Sequence, residues 1–286
     1  MRDPNVPESL EGWWILHRMF AFDRVAWDSL GSKRRVKAAA QASSLFAHLQ
    51  QRSEGDLSLS ALVAHECDLM LVHYAQRYDD LAYLQMLVDK LDLRPFLAMH
   101  YSYTSVLELG LYDATAKIHA ELEKRGLRPH TPQWIEGFDE LLRAQAESPY
   151  VAPRLFARFP QRRYACFYPM NKRRGERDNW YALPYADRAK LMNEHGKIGR
   201  SFHGKVTQVI SGSIGYDDYE WGVDLYADDP LVFKKLVYEM RFDEASARYA
   251  EFGPFYSGIQ FSPDQLATFL DGDGVPQLSS RASEAR

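Results

Sequence analysis

Cysteine is nearly absent: Cys67 and Cys166 are the only two in 286 residues. That excludes a disulfide framework and a cysteine-based metal motif, and points to a reducing cytoplasm. No basic segment followed by an apolar run opens the chain, and no stretch approaches the ~20 apolar residues of a membrane-spanning helix, so neither secretion nor a membrane span is expected. The nine histidines include no close pair of the His-x-x-x-His kind, which argues against a zinc or di-iron site. A large excess of one charge is also missing. The formal charge of -4 gives no global reason to bind nucleic acid or an anionic membrane.

What is present is an ordinary globular composition, 46% hydrophobic and 26% charged with 13% aromatics, in a chain long enough for a substantial core. Residues 1–11, with two prolines and several acids, read as a flexible lead-in. Residues 12–22 are too apolar and aromatic for a loop and predict a buried strand. Helical spacing of Val36, Ala39, Ala40, Leu45, Phe46 and Leu49 predicts a helix over 32–51, with Ser32 as N-cap. Apolar runs at 57–64 and 69–75 predict a hairpin, 79–91 a helix and 96–109 a strand.

Residues 111–155, punctuated by Gly126, Pro129, Pro132 and Pro153, read as a connector with one helix at 114–125. The order then returns: strand 164–169, helix 185–197, strands 202–212 and 219–226, helix 230–240, strand 252–259. The expected fold is therefore α+β. Two ferredoxin-like βαββαβ halves, 12–110 and 156–262, would join antiparallel sheets into a dimeric α/β barrel with helices outside. Residues 263–286 read as a C-terminal segment with a disordered end.

Between Arg154 and Arg177 stand eight basic side chains and a single acid, Glu176. Such runs are usually solvated surface. Arginine forks and a lysine interleaved with aromatics also suit a large flat ligand with acidic arms, and a nucleic-acid surface comes second. His195 shares a helix face with Leu191 and Met192. It either satisfies the last carbonyls of a helix ending at Gly196 or serves as an axial ligand to iron, which in a porphyrin needs one protein ligand. Tyr168 precedes Pro169, which favours extended backbone and a strand end there. Gln208 shares a strand face with Val206 and Ile210, and a glutamine on such a face needs a partner or a ligand.

Six stretches then agree in order and spacing: Tyr-Pro-Met-Asn-Lys-Arg-Arg (168–174), Asp-Asn-Trp-Tyr (178–181), Leu-Met-Asn-Glu-His-Gly-Lys-Ile-Gly-Arg (191–200), Gly-Lys-Val-Thr-Gln (204–208), Asp-Asp-Tyr-Glu-Trp-Gly-Val (217–223) and Val-Tyr-Glu-Met-Arg-Phe-Asp-Glu-Ala-Ser-Ala-Arg (237–248). Together they closely resemble the peroxide-dependent coproheme decarboxylases of the chlorite dismutase superfamily. The match is dense over 154–258. In the N-terminal half it rests on layout and on Ser-Tyr-Thr-Ser-Val-Leu-Glu-Leu (102–109).

The resemblance implies a cytoplasmic homopentamer with porphyrin in the C-terminal half only, and transient contact with a coproporphyrin ferrochelatase. It implies oxidative decarboxylation of two propionates of iron-coproporphyrin III (coproheme) to vinyls, giving haem b, with hydrogen peroxide as oxidant. His195 matches the axial iron ligand, Tyr168 the tyrosine that becomes a radical, and Lys172 the lysine serving decarboxylation. Met170 matches a residue at the porphyrin edge, and Arg154 and Ser246 match residues holding propionates. Gln208 matches a distal glutamine, where chlorite dismutases carry arginine. The alternatives are a chlorite dismutase-like or peroxidase haem enzyme, and a porphyrin carrier without catalysis.

Overall fold

The computed structural model describes residues 6–64 and 66–279; the first five residues of the expected lead-in and the last seven of the C-terminal segment lie outside the described residues. The elements are β1 (Ser9–Phe22), α1 (Arg24–Ser29), α2 (Ser32–Gln50), β2 (Gly55–Leu62), β3 (Leu69–Ala75), α3 (Tyr78–Asp89), β4 (Leu97–Gly110), α4 (Tyr112–Lys124), α5 (Pro132–Ala146), α6 (Ala152–Leu155), β5 (Tyr164–Lys172), α7 (Tyr185–Ser201), β6 (Thr207–Gly212), β7 (Trp221–Ala227), α8 (Leu231–Met240), α9 (Glu244–Tyr249), β8 (Ala250–Phe252), β9 (Tyr256–Phe261) and α10 (Leu266–Asp271).

All strand pairings are antiparallel, and the order β7-β6-β4-β1-β3-β2-β9-β5 returns to β7 through the β5–β7 pairing, so the sheet closes into a ring. Each half contributes its first, second, third and last long strands in the same spatial order, last-first-third-second. The halves meet at two seams, β4–β6 and β2–β9. The α+β expectation is met, with helices packed on the outer face.

A closed sheet under helices is buried on both faces, which explains the continuous apolar runs in the sequence. All seven residues of β3 are buried. On β1, Ile15 and Met19 face the ring interior with Val72, Tyr74, Phe167 and Tyr226. Leu16 and Phe20 face outward under Trp27, Phe46 and Phe269. Each such side chain contributes on the order of 2 kcal/mol on burial. Inside the ring His17 of β1 lies 3.0 Å from Asp224 of β7, the two being 0% and 2% exposed, which joins the halves by a buried polar pair.

Several boundaries differ from expectation. β1 begins at Ser9, inside the expected lead-in. Gly31 rather than Ser32 caps α2. Most of the connector is a helical hairpin. Its second helix starts at Thr131, whose side chain accepts from the Trp134 amide, with Pro132 in the first turn where its missing N–H costs nothing. At the C-terminal end the chain packs: the Ser262 amide donates to the Gln277 carbonyl at 3.0 Å and Arg163 to that of Pro276 at 2.8 Å.

Candidate active site

Pro169 was expected to end β5, but the strand continues to Lys172. On one side β5 pairs with β7 from Tyr164 to Met170; on the other it pairs with β9 up to Phe167 and with β8 from Met170. Pro169 falls in the gap between those two partners, where its carbonyl accepts from Gly253 at 2.8 Å and no amide donor is required of it. The continuation matters because side chains alternate with period two. Tyr168, Met170 and Lys172 therefore stand in one row on the outer face, roughly 13 Å from end to end.

Tyr168 is 3% exposed, with its ring stacked on Phe255 at 4.6 Å and tilted against Phe252 at 5.6 Å. Burial, and the Cys166 thiol to a lesser degree, push its pKa above the ordinary tyrosine range, while Arg241 pulls the other way. It is a neutral phenol at all physiological pH. Met170 is half-buried in the same apolar cluster, which includes Val223 of β7, Ile198 and Phe202 at α7 and Met240 of α8.

Lys172 is 8% exposed. Its amide donates to Glu220 at 3.0 Å, and its ammonium lies 3.5 Å from the Ala245 carbonyl and 4.4 Å over the Trp180 ring. Burial pushes the ammonium down to about 8, against the pull of Asp243 and Glu220. Such a group exchanges a proton near neutral pH.

α7 runs through Gly196 to Ser201, so His195 sits within the helix and does not cap it. Its Nδ1 lies 3.0 Å from Oδ2 of Asp243, the N-cap of α9. The same carboxylate accepts from the Ser246 hydroxyl at 2.9 Å and the Ser246 amide at 3.1 Å. Burial raises the Asp243 carboxyl, but the hydrogen bonds from His195 and Ser246 outweigh it and leave it below the usual range. A carboxylate accepting Nδ1–H fixes the tautomer that presents Nε2 as a lone pair, the form a metal takes. Among the described residues Nε2 has no hydrogen-bond partner.

Gln208 pairs across β6–β7 with Leu225, which pairs with Cys166 of β5, so the glutamine shares the outer face with Tyr168, roughly 12 Å away. Its amide donates to the Gly199 carbonyl of α7 at 3.4 Å, and a Cβ at Gly199 would stand 3.3 Å from that amide nitrogen. Glycine is what lets the helix come this close.

The structure thus brings Tyr168, Met170, Lys172, His195, Gln208 and Ser246 onto or against one outer face of the C-terminal half. Arg154 is exposed on α6, which packs on β1 and β4. The serine hydroxyl expected to hold a propionate donates to Asp243 instead. Most of the basic run also finds partners inside the protein. Arg158 donates to the Gln50 and Gly55 carbonyls, Arg162 to Asp228, Arg163 to the Gln260 and Pro276 carbonyls and Arg173 to Glu251, while Arg174 lies 3.7 Å from Glu220. Sequence reasoning missed Asp243, Glu220 and Trp180. Only the Asp-x-x-Ser capping pattern at 243–246 could have flagged one of them.

One imidazole backed by a carboxylate fits an iron porphyrin. Among the described residues no group of three or more His, Cys, Asp or Glu is placed to hold a bare metal ion, and no helix is long and apolar enough to cross a membrane. The clefts lined by Arg24, Asp68 and Val275 and by Ser43, Gln50 and Ser279 contain none of these site residues.

A ring of two βαββαβ halves with an inward-backed histidine on one outer face defines a class, and the chain belongs to the chlorite dismutase family, matching it across residues 35–261. Within that family it is 40% identical over 270 residues to a coproheme decarboxylase of Thermus thermophilus, covering 93% of this chain and 97% of that one. A coproheme decarboxylase of Staphylococcus saprophyticus is 41% identical over 269 residues, covering 92% and 97%. The solved structure of a haem-binding protein from Thermus thermophilus superposes with a TM-score of 0.80 at 39% identity, covering 94% of this chain and 99% of that one.

Proposed function

We propose that this protein is a hydrogen peroxide-dependent coproheme decarboxylase of the distal-glutamine type, converting iron-coproporphyrin III to haem b in the last step of coproporphyrin-dependent haem synthesis. The observation that carries it is the row Tyr168, Met170, Lys172 beside a carboxylate-backed histidine. The setting implied is a cytoplasmic homopentamer that meets a coproporphyrin ferrochelatase transiently.

When bound, the iron porphyrin supplies a centre that peroxide can oxidise. His195 would hold its iron through Nε2, with Asp243 fixing the tautomer. Gln208 would offer the oxidant a neutral amide, where an arginine would favour an anionic one. Tyr168 gives up an electron and a proton together. Its phenoxyl oxygen then takes a hydrogen atom from a propionate β-carbon, which restores the phenol. Turning a propionate into a vinyl and carbon dioxide releases two electrons and one proton, and reducing one peroxide to two waters consumes two electrons and two protons. One proton must therefore be drawn in per vinyl formed. Lys172, with its ammonium at about 8, is placed to supply it and recover it from water. Arg154 and Met170 complete the set as a propionate contact and a porphyrin-edge contact.

The test is peroxide titration of coproheme-loaded protein followed by mass. Two successive losses of a carboxyl group plus hydrogen, at one peroxide each, are expected. Unchanged coproheme overturns the assignment, and oxygen release from chlorite at enzymatic rates would replace it with chlorite chemistry. Tyr168→Phe should keep coproheme bound and stop turnover; an active Phe variant refutes the radical role.

A further inference from the structure

The segment between β5 and α7 and the α4–α5 hairpin have no part in the chemistry above, yet both converge on Lys172. Trp180 is 2% exposed, with the ammonium 4.4 Å over its ring. The tryptophan is fixed from three directions. Its amide donates to the Arg173 carbonyl at 2.9 Å, its ring meets Tyr249 edge-on at 5.5 Å, and it packs against Tyr112 in the first turn of α4, whose hydroxyl the indole faces. Tyr112 is itself tied to α7: its carbonyl accepts from the Tyr185 hydroxyl at 2.6 Å, and the two rings meet at 5.8 Å.

A buried ammonium needs close partners. The carboxylates that face Lys172 are Asp243, from the turn before α9, and Glu220, from the turn before β7. Asp243 is engaged with His195 and Ser246, and Glu220 with the Lys172 amide and Arg174. Arg173 and Arg174, next on its own chain segment, are turned to Glu251 and Glu220. Among the described residues no carboxylate lies within ion-pair distance of Nζ, so its direct contacts are the Ala245 carbonyl and the π face of Trp180.

We propose that Trp180 is the positioning residue for Lys172: its indole face holds the ammonium at the end of the Tyr168 row, and Tyr112 lets the helical insert lock that indole in place. This rests on the role given to Lys172 above. A desolvated cation over an indole is held by the ring quadrupole; phenylalanine keeps part of that attraction and leucine none, while both still exclude water.

Competitive acylation of the substrate-free protein between pH 6 and 11, with each lysine read by mass spectrometry, follows Lys172 directly. In Trp180→Leu its titration midpoint should fall by about one pH unit, and by less in Trp180→Phe and Tyr112→Phe, with the other lysines unmoved. With coproheme, Trp180→Leu should lower kcat about tenfold while KM stays near the wild-type value. A midpoint that stays or rises in all three variants overturns the proposal. If Trp180→Leu does not fold, the Phe variants carry the same comparison. Should the lysine shift as expected in a protein that never decarboxylates coproheme, the function above fails and the positioning role stands.

Discussion

Lys172→Met should make the protein more stable and inactive. The substitution keeps volume and apolar reach while removing an ammonium that folding buries to 8% exposure. A lysine held at about 8, from an ordinary value of 10.5, costs about 3 kcal/mol to keep charged in the fold, at ~1.4 kcal/mol per pH unit. Losing the Trp180 contact gives back ~1 kcal/mol, so a net gain of about 2 kcal/mol is expected at pH 7. The pH dependence is the sharper signature. Between pH 8 and 10.5 the unfolded wild type holds a proton that the folded one does not, so wild-type stability rises with pH there relative to the variant. Below pH 8 both states are protonated and the gap is constant. Urea unfolding of both proteins from pH 6.5 to 10.5, without porphyrin, measures this. A gap that does not narrow above pH 8, or a variant less stable at pH 7, refutes the reasoning.

His73 is 0% exposed with neither ring nitrogen hydrogen-bonded among the described residues, and burial, with the charges of Arg18 and Arg52 near it, pushes it down to about 3. The unfolded chain takes up a proton below ~6.5 that the fold refuses, so the wild type should lose about 2 kcal/mol relative to His73→Leu between pH 6.5 and 5, and equal acid sensitivity in denaturant melts would exclude this. At the β2–β9 seam a methyl on Gly258 would collide with the Ala61 carbonyl and stand 3.0 Å from the Leu62 Cα. Gly258→Ala should therefore cost about 2 kcal/mol and several degrees of thermal midpoint, and an unchanged melting curve would show that the seam can open.

What the sequence made legible was what depends on near neighbours. β1 and β3 announced themselves as apolar runs because both sides of each are buried, and α2, α3 and α8 through their periodicity. Pro132 hid α5 because a proline reads as a breaker unless the preceding threonine is seen as a cap. Gly196 suggested a helix end, yet α7 passes it and continues through Gly199, where Gln208 approaches. Long-range partners were the blind spot. The arginines around β5 looked like a clamp for carboxylates because nothing local shows that Asp228, Glu251 and the carbonyls of Gln50, Gly55, Gln260 and Pro276 already take them. The local capping pattern marks Asp243, but its pairing with His195, 48 positions away, was invisible for the same reason.

The duplicated scaffold also offers a physical reason why the proposed site would lie in one half only. Both halves present the outer face of their first strand to covering helices. In the N-terminal half that face carries Leu16, Arg18 and Phe20. It is sealed by Trp27 of α1, Phe46 of α2 and Leu266, Phe269 and Leu270 of α10, with Arg18 bonded to Asp89 at 2.6 Å. A flat ligand there would have to displace an apolar core worth on the order of 2 kcal/mol per side chain. The matching face of β5 carries Tyr168, Met170 and Lys172 instead, with Gln208 and His195 nearby and α7 approaching Gln208 through Gly199. Polar groups placed under helices cost stability unless something uses them. Their concentration on one of two otherwise equivalent faces supports placing the proposed site there, because packing alone favours the sealed apolar face of the other half.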